Sequence, residues 1–403
     1  MSSASTRQLC IGERLVKGLR WLISFMNTEE ERAFVEMADA FAKEQLRVQA
    51  RIAEAQKEVP NSLAERAAEL GLCSLEVPES MEGLGLPLIS QVQVLEALAF
   101  GDLAILQGLP GPNEFASFLR VAPDLPNVRS YLDGSSQSQL RTAAVIDALN
   151  LHVASDSGLT LEASNEGYVL CGLSRPIRMG KYAEILLVAC RDTTGEAVLL
   201  LLDAKRTPWQ VLPCDVRLGL LPAGIARVRF ESRSVSLEDV LLRGEEAETA
   251  LYQAMARQHV LEAGKEIGLM RASLEYATNY TAKRKAFGQE IAHFQGVSFL
   301  LADMAIEVQA ARHLTWQAAV SLDGGNPHGE VEAVRALARV HRAVRFVTDN
   351  GVQLLGGAGY VQEYPVEKWM RDGEAQVMLY GRETELLLDG GLRILTAEGR
   401  PLQ

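Results

Sequence analysis

Two stretches of this 403-residue chain carry residue types that suit ligand chemistry. In 284–295, RKAFGQEIAHFQ, a cation (Arg284) precedes an aromatic (Phe287), a turn glycine (Gly288) and the start of a helix bearing Gln295. Such an arginine can pair with a phosphate, and such a glutamine can hydrogen-bond a ring edge or a backbone group. The same residues also read as a plain loop between two helices. In 353–372, QLLGGAGYVQEYPVEKWMRD, Gly356, Gly357 and Gly359 interrupt a helical pattern. Glycine there lets a backbone come close to a ligand, or simply ends a helix. The stretch is not a P-loop, because no GK[ST] follows. Nor is it a dinucleotide fingerprint, because no strand precedes it.

The elements that position these residues are legible from periodicity. Residues 28–125 read as helices: Phe34, Met37, Ala38, Phe41 and Ala42 form one apolar face, and Asn27 or Thr28 can cap it ahead of an acidic first turn. NSLAERAAELGL opens with a capping box, Asn61 or Ser62 with Glu65, and stops at Gly71. After about residue 140 the texture changes to short apolar or alternating runs, among them EILLVAC and AVLLLLDA, separated by turn residues. From about 246 the chain is helical again. One stripe runs through Phe294, Val297, Leu301, Met304, Val308, Ala311 and Leu314 and ends at Gly324–Gly325. The expected architecture is an α+β fold: an N-terminal α-helical domain (26–140), a small antiparallel β domain in the middle (141–245) and a long four-helix-type bundle at the C terminus (246–403).

Composition bounds the function. With 48% hydrophobic and 23% charged residues the chain can bury a large core. A net charge of −12 argues against nucleic acid as a partner, since a binder needs a basic face to displace counterions. The five cysteines (Cys10, Cys73, Cys171, Cys190, Cys214) are scattered and lack metal spacing. They read as reduced thiols of an intracellular protein. The histidines, His313 and His341 included, read as packing or surface residues, and no metal site is expected. No apolar run reaches the ~18 residues of a membrane span. Residues 1–25 are basic and acid-poor. They read as an upstream mis-start with Met26 as the first residue, or as an organelle transit peptide, so the setting is cytoplasmic or, in the second case, mitochondrial.

Together, in this order and spacing, the two stretches resemble the C-terminal half of the acyl-CoA dehydrogenase family. The match to Q-x-x-G-G-x-G-aromatic-x-x-acid-x4-Lys/Arg-x3-acid falls on Gln353, Gly356, Gly357, Gly359, Tyr360, Glu363, Lys368 and Asp372. The R-x-x-F-G-x-x-[IL]-x-x-F-Q block falls on Arg284, Phe287, Gly288, Ile291, Phe294 and Gln295. The N-terminal AAELGLCSLEVPESMEGLGL resembles the family's helical domain. The resemblance implies FAD as cofactor, with Arg284, Phe287, Gln295, Gln353, Gly356, Gly357 and Glu385 lining it across a subunit boundary. It implies an acyl-CoA thioester as substrate, a homo-oligomer (dimer or tetramer) or a heteromer with a paralogue, and a flavoprotein as electron acceptor. The implied reaction is α,β-dehydrogenation, in which a carboxylate takes a Cα proton while hydride leaves Cβ for the flavin.

The resemblance also marks departures. The family's catalytic glutamate follows the tyrosine matched by Tyr380, where this chain has Gly381. Some branches place it instead 26 residues before the arginine matched by Arg284, where this chain has Gln258. A glutamine cannot accept a proton near neutral pH. Glu262, one turn beyond Gln258, and Glu383, two residues past Gly381, are the substitutes that spacing suggests; each also reads as an ordinary paired helix acid. The family's Gly and Thr at 382 and 383 are Arg382 and Glu383, and the aromatic-Ile-Thr/Ser step beside the flavin ring is Pro176-Ile177-Arg178. Three functions stay open: a dehydrogenase with a moved base, a catalytically degenerate partner subunit, and a non-redox acyl-CoA or protein-binding module.

Overall fold

A computed structural model describes residues 28–125, 128, 141–149, 158–165, 167–214 and 216–398. The expectations for residues 1–25 lie outside the described residues. Helix α1 (Glu29–Phe41) starts at Thr28, whose hydroxyl accepts from Glu31 N while the Glu31 carboxylate accepts from Thr28 N, a reciprocal cap. It passes through a π turn (Ala42–Leu46) into α2 (Arg47–Gln56). Helix α3 (Asn61–Glu69) departs from expectation. Pro60 is its N-cap, and neither Asn61 nor Ser62 caps it. The Pro60 carbonyl already accepts from Leu63 N and Ala64 N, which draws Asn61 into the helix. Gly71, at φ +73°, ends the segment as expected.

Helix α4 (Leu88–Gln107) is, among the described residues, the one helix long and apolar enough to cross a membrane, where the sequence suggested none; 89% of that window is buried in the fold. It kinks at Asp102 (φ −159°, ψ 118°), whose Oδ1 accepts from Ile105 N at 2.8 Å and so caps the second half of the helix. Gly101 beside the kink lies against the backbone of Ala42 in the π turn, where a Cβ would meet the Ala42 carbonyl at 2.6 Å. Two irregular turns thus pack on each other, and the re-aimed end of α4 delivers Gln107 to the molecular centre. Helix α5 (Glu114–Val121) follows.

The middle region contains two four-stranded sheets among the described residues. The first joins β1 (Ala143–Asp147), β4 (Ile185–Arg191), β5 (Ala197–Asp203) and β8 (Val240–Arg243), in the order β1-β4-β5-β8. The second joins β2 (Leu159–Ser164), β3 (Gly167–Leu173), β7 (Ala226–Ser236) and β6 (Gln210–Pro213), in the order β2-β3-β7-β6. All pairs are antiparallel except β1–β4, which is parallel because the second sheet's first hairpin intervenes between them. Strands β4 and β5 are continuous apolar runs because both their faces are covered. Leu186, Val188, Leu200 and Leu202 meet the second sheet. Ile185, Leu187, Leu199 and Leu201 meet Phe115 and Phe118 of α5 and Ala250 and Leu251 of the next helix.

That helix, α6 (Gly244–Thr281), is the axis of the molecule. It packs against α4, against α7 (Gln295–Asp323) and against α8 (Gly329–Leu355), and α10 (Glu383–Glu398) closes the bundle on α8. Between α6 and α7 lies a short hairpin, β9 (Lys285–Ala286) and β10 (Gln289–Glu290); between α8 and α10 lies α9 (Val366–Gln376). On α7 the buried stripe includes Met304, Val308 and Ala311, but Leu314 faces out with Phe299 and Ile306, so the helix is apolar on a second side.

Candidate active site

From Ala256 to Met270 every residue of α6 is buried, yet the stretch includes Arg257, Gln258, His259, Glu262, Lys265 and Glu266. Polar side chains in such a place must find partners or cost several kcal/mol (about 1–3 for each unmet group). Most find them, in residues from four other helices and in Glu76, while His259 Nδ1 is left without a hydrogen-bond partner. Glu262 Oε1 accepts from Gln258 Nε2 and Lys265 Nζ, both at 2.6 Å. Its Oε2 accepts from Gln107 Nε2 at 2.6 Å and Gln376 Nε2 at 2.7 Å. Lys265 also donates to Gln107 Oε1, and Gln107 to Gln376 Oε1. Burial would raise the Glu262 carboxyl, but Lys265, Arg178 and these hydrogen bonds more than offset it and hold it below the usual carboxylate value. One turn on, Glu266 pairs with His341 Nδ1 of α8 at 2.9 Å. Toward the N-terminal helices, Arg257 grips both oxygens of Glu76 and reaches Asp323 at 2.9 Å.

A second knot of charge adjoins the first. Arg178, from the loop after β3, is 6% exposed. Its Nε donates to the Gln107 carbonyl at 2.6 Å, and its Nη1 lies 3.4 Å from Glu114 Oε1. The same Glu114 oxygen accepts from the Tyr380 hydroxyl at 2.6 Å. Glu114 Oε2 is buried and has no hydrogen-bond partner. Burial, then the Glu114 and Glu262 carboxylates, push the Tyr380 phenol well above its usual value, so it remains a neutral donor. Arg178 and Lys265 balance Glu114 and Glu262.

Beside these side chains is a cavity of about 80 Å³, lined by Cys73, Glu76, Asn113, Arg178, Gln258 and Lys265, among others. That is about half the volume of an engineered cavity that admits benzene (about 150 Å³). The Cys73 thiol at its wall is pushed up to about 12 by burial and is not a nucleophile.

The ligand residues suggested by the sequence stand elsewhere, on the surface. Arg284 is exposed. Phe287 sits at the tip of the β9–β10 hairpin with φ +53°, followed by Gly288 at φ +84°, and is 96% exposed. The turn forces the ring outward, where it stands edge-on to Phe294 with ring centroids 6.2 Å apart. Gln295 begins α7 and is exposed. Gln353 is exposed on the last turn of α8, and Gly356 caps that helix at φ +58°. A Cβ placed on Gly356 or Gly357 would meet nothing within 4 Å, so this backbone is open to a ligand. Gly359 differs: its Cβ would meet the Val352 carbonyl at 2.4 Å, so its role is close packing.

Of the positions considered for a base, Gly381 holds φ +97° in the loop before α10 and lies next to Tyr380. Gln258 and Glu262 join the buried network. Glu383 does not: it pairs with Arg342 at a groove of about 300 Å³ whose lining includes Arg335, Arg339 and Leu387. Glu385 is held by the Arg382 main chain at 3.0 Å and its guanidinium at 2.5 Å, contacts that lower its carboxyl despite partial burial. Each acid at the start of α10 is therefore matched by its own arginine. Glu114, Lys265, Gln107 and Gln376 were not singled out by sequence. Three sit on separate helices with no motif between them. Lys265 alone had a signal, its i+3 spacing from Glu262.

Residues 28–116 match the acyl-CoA dehydrogenase N-terminal domain, and residues 248–387 match the acyl-CoA dehydrogenase C-terminal domain. An acyl-CoA dehydrogenase of Bacillus subtilis is 28% identical over 369 residues, covering 88% of this chain and 95% of that protein. Among solved structures, the ChsE4–ChsE5 complex from Mycobacterium tuberculosis matches with a TM-score of 0.80 at 20% identity, over 94% of this chain and 100% of that one. A glutaryl-CoA dehydrogenase from Mycobacterium smegmatis in complex with FADH2 matches with a TM-score of 0.80 at 16% identity, over 95% and 98%. These two likenesses speak to the fold.

Proposed function

The chain belongs to the acyl-CoA dehydrogenase family, and from that premise we propose that it is a FAD-dependent acyl-CoA dehydrogenase-like oxidoreductase acting on the α and β carbons of an acyl-CoA thioester. The observation that carries this is the outward-facing set. An exposed arginine, an aromatic turned out by its hairpin and an open glycine backbone fit the nucleotide end of a large cofactor. In this reading Arg284, Phe287, Gln295, Gln353, Gly356 and Gly357 hold FAD that belongs to a neighbouring subunit, which makes the working form an oligomer. Bound FAD supplies the two-electron acceptor. The chain's own residues bind and orient the thioester and keep water from the chamber under Arg178. The arginines that match Glu383 and Glu385 remove the repulsion those acids would offer a diphosphate. Cys73, Cys171 and Cys190 are free thiols, which supports a reducing compartment, cytoplasmic or mitochondrial.

A second reading has its own support. The exposed set faces away from this chain, while the chain's interior is packed with paired charges around a cavity of about 80 Å³. A subunit that completes a paralogue's FAD site and is silent in its own chamber would look like this. The relative solved as a two-protein complex has the same fold.

Anaerobic titration of the purified protein with a panel of acyl-CoAs, followed by visible spectroscopy, tests both. Bleaching of a flavin spectrum is expected for the first reading. Flavin that shifts without bleaching favours the second. A colourless protein that binds no acyl-CoA would overturn the first.

A further inference from the structure

The reading as a dehydrogenase requires a carboxylate that can take a proton, and the two positions where the sequence led us to look for one hold Gly381 and Gln258. Glu262 cannot serve as it stands: both its oxygens are filled by four donors at 2.6–2.7 Å, and those contacts favour its ionised form and weaken it as a base. Glu383 and Glu385 are tied to arginines at the edge of α10, away from the cavity.

Glu114 differs in having one oxygen that no donor fills. It is 8% exposed, at the first position of α5, and the α5 residues Asn113 (its N-cap) and Ala116 line the same cavity as Arg178. Its Oε1 is fixed by the Tyr380 hydroxyl at 2.6 Å and by Arg178 at 3.4 Å. Its Oε2 is buried and unpartnered. A buried carboxylate oxygen without a donor is costly, of order 1–3 kcal/mol, and such an atom calls for a partner that arrives with a ligand. The fixing groups also say where the oxygen stands. Tyr380 is the chain neighbour of Gly381, and Arg178 occupies the loop after β3. The carboxylate therefore lies between the loop before α10 and the β region, on a residue that falls in sequence between the cavity-lining Asn113 and Ala116.

We propose that Glu114 is the proton-accepting carboxylate of this chain, positioned by Tyr380 and Arg178. The proposal rests on the dehydrogenase reading above. In the step assigned to it, the Cα–H bond of a bound acyl-CoA breaks and the proton passes to Glu114 Oε2. The electron pair stays on Cα and is shared with the thioester carbonyl. The step is reversible and by itself consumes no oxidant. Tyr380 and Arg178 keep their hydrogen bonds to Oε1 throughout, so the accepting oxygen is the one with no prior partner.

Because proton abstraction does not require oxidation, it can be read separately. The probe is an acyl-CoA with sulfur in place of the β carbon, which has an acidic α-proton and no Cβ–H to lose. The protein, as purified with its flavin, is incubated with this probe in D2O, and α-proton washout is followed by NMR across pH. Wild type is expected to exchange, and Glu114→Gln to exchange at least about 100-fold more slowly, the lower end of a general base's contribution, while still binding the probe by calorimetry. Glu114→Asp, which keeps the charge, should recover part of the rate. Exchange at the wild-type rate in Glu114→Gln overturns the proposal, as does a wild type that binds the probe and exchanges nothing. A wild type that binds neither flavin nor probe overturns the dehydrogenase reading, and this proposal with it.

Discussion

The Tyr380 hydroxyl donates to Glu114 Oε1 at 2.6 Å, joining residues 266 positions apart. The bond ties the loop before α10 to the start of α5. Phenylalanine at 380 would keep the ring and remove one charge-assisted hydrogen bond, leaving Glu114 with Arg178 alone. Tyr380→Phe should lower stability by about 1.5–3 kcal/mol, read as a fall in the urea midpoint at unchanged slope.

Lys368 is 2% exposed and bridges Asp102 at 2.6 Å and Asp372 at 2.7 Å, both carboxylates being buried. Asp102 caps the second half of α4, and Asp372 Oδ1 accepts from Leu220 N at 2.7 Å, so one ammonium couples α4, α9 and the loop at Leu220. Lys368→Met leaves two buried carboxylates facing each other. It should cost about 3–5 kcal/mol or more, and denaturant unfolding would show it directly. A change under 1 kcal/mol would mean the acids share a proton.

His259 supplies a pH dependence. Burial drives its imidazole down to about 4 from 6.5, with His341 and Arg393 adding to the effect and Asp389 opposing it. The folded protein therefore holds the neutral ring while the unfolded chain takes up a proton below about 6.5. Stability from this group is full above 6.5 and is lost as pH falls toward 4, by up to about 3 kcal/mol at 1.36 kcal/mol per pH unit. Urea midpoints between pH 7 and pH 4.5 should fall in wild type and fall less in His259→Leu.

The glycines after α8 should separate packing from ligand approach. Gly359→Ala drives a Cβ to 2.4 Å from the Val352 carbonyl and should destabilise by about 1–3 kcal/mol. Gly357→Ala meets nothing and should leave the melting temperature unchanged, yet reduce flavin content. Phe287→Ala, at a ring 96% exposed, should behave like Gly357→Ala, within about 0.5 kcal/mol of wild type in stability. Absorbance ratios of the purified variants, set beside their melting curves, distinguish the two classes.

Much of the frame was legible because it rests on local rules. Thr28 with Glu31 states a helix start within four residues, and Gly71 states a stop. The runs ILLVAC and AVLLLL announce strands, and the fold covers both their faces, with α5 and α6 on one side and the second sheet on the other. Where local rules competed, sequence reading failed. At α3, Pro60 outbid Asn61 as the cap, and at α7 a residue counted into the core stripe, Leu314, belongs to a second apolar side.

The sequence by itself determined the family, the order helices–sheets–helices, the candidate ligand residues at 284–295 and 353–357, and the absence of a carboxylate at 258 and 381. These follow from residue type at fixed spacing along one segment. Only the tertiary structure decided what replaces the missing carboxylate. Glu114, Arg178, Glu262 and Tyr380 come from four separate segments, and nothing in the spacing between them signals contact. Their meeting depends on the kink at Asp102 that aims Gln107 and on a central helix buried on every side. There, polar groups must find partners across the fold; His259 Nδ1, on that helix, and Glu114 Oε2, beside it, are among the buried atoms left without one.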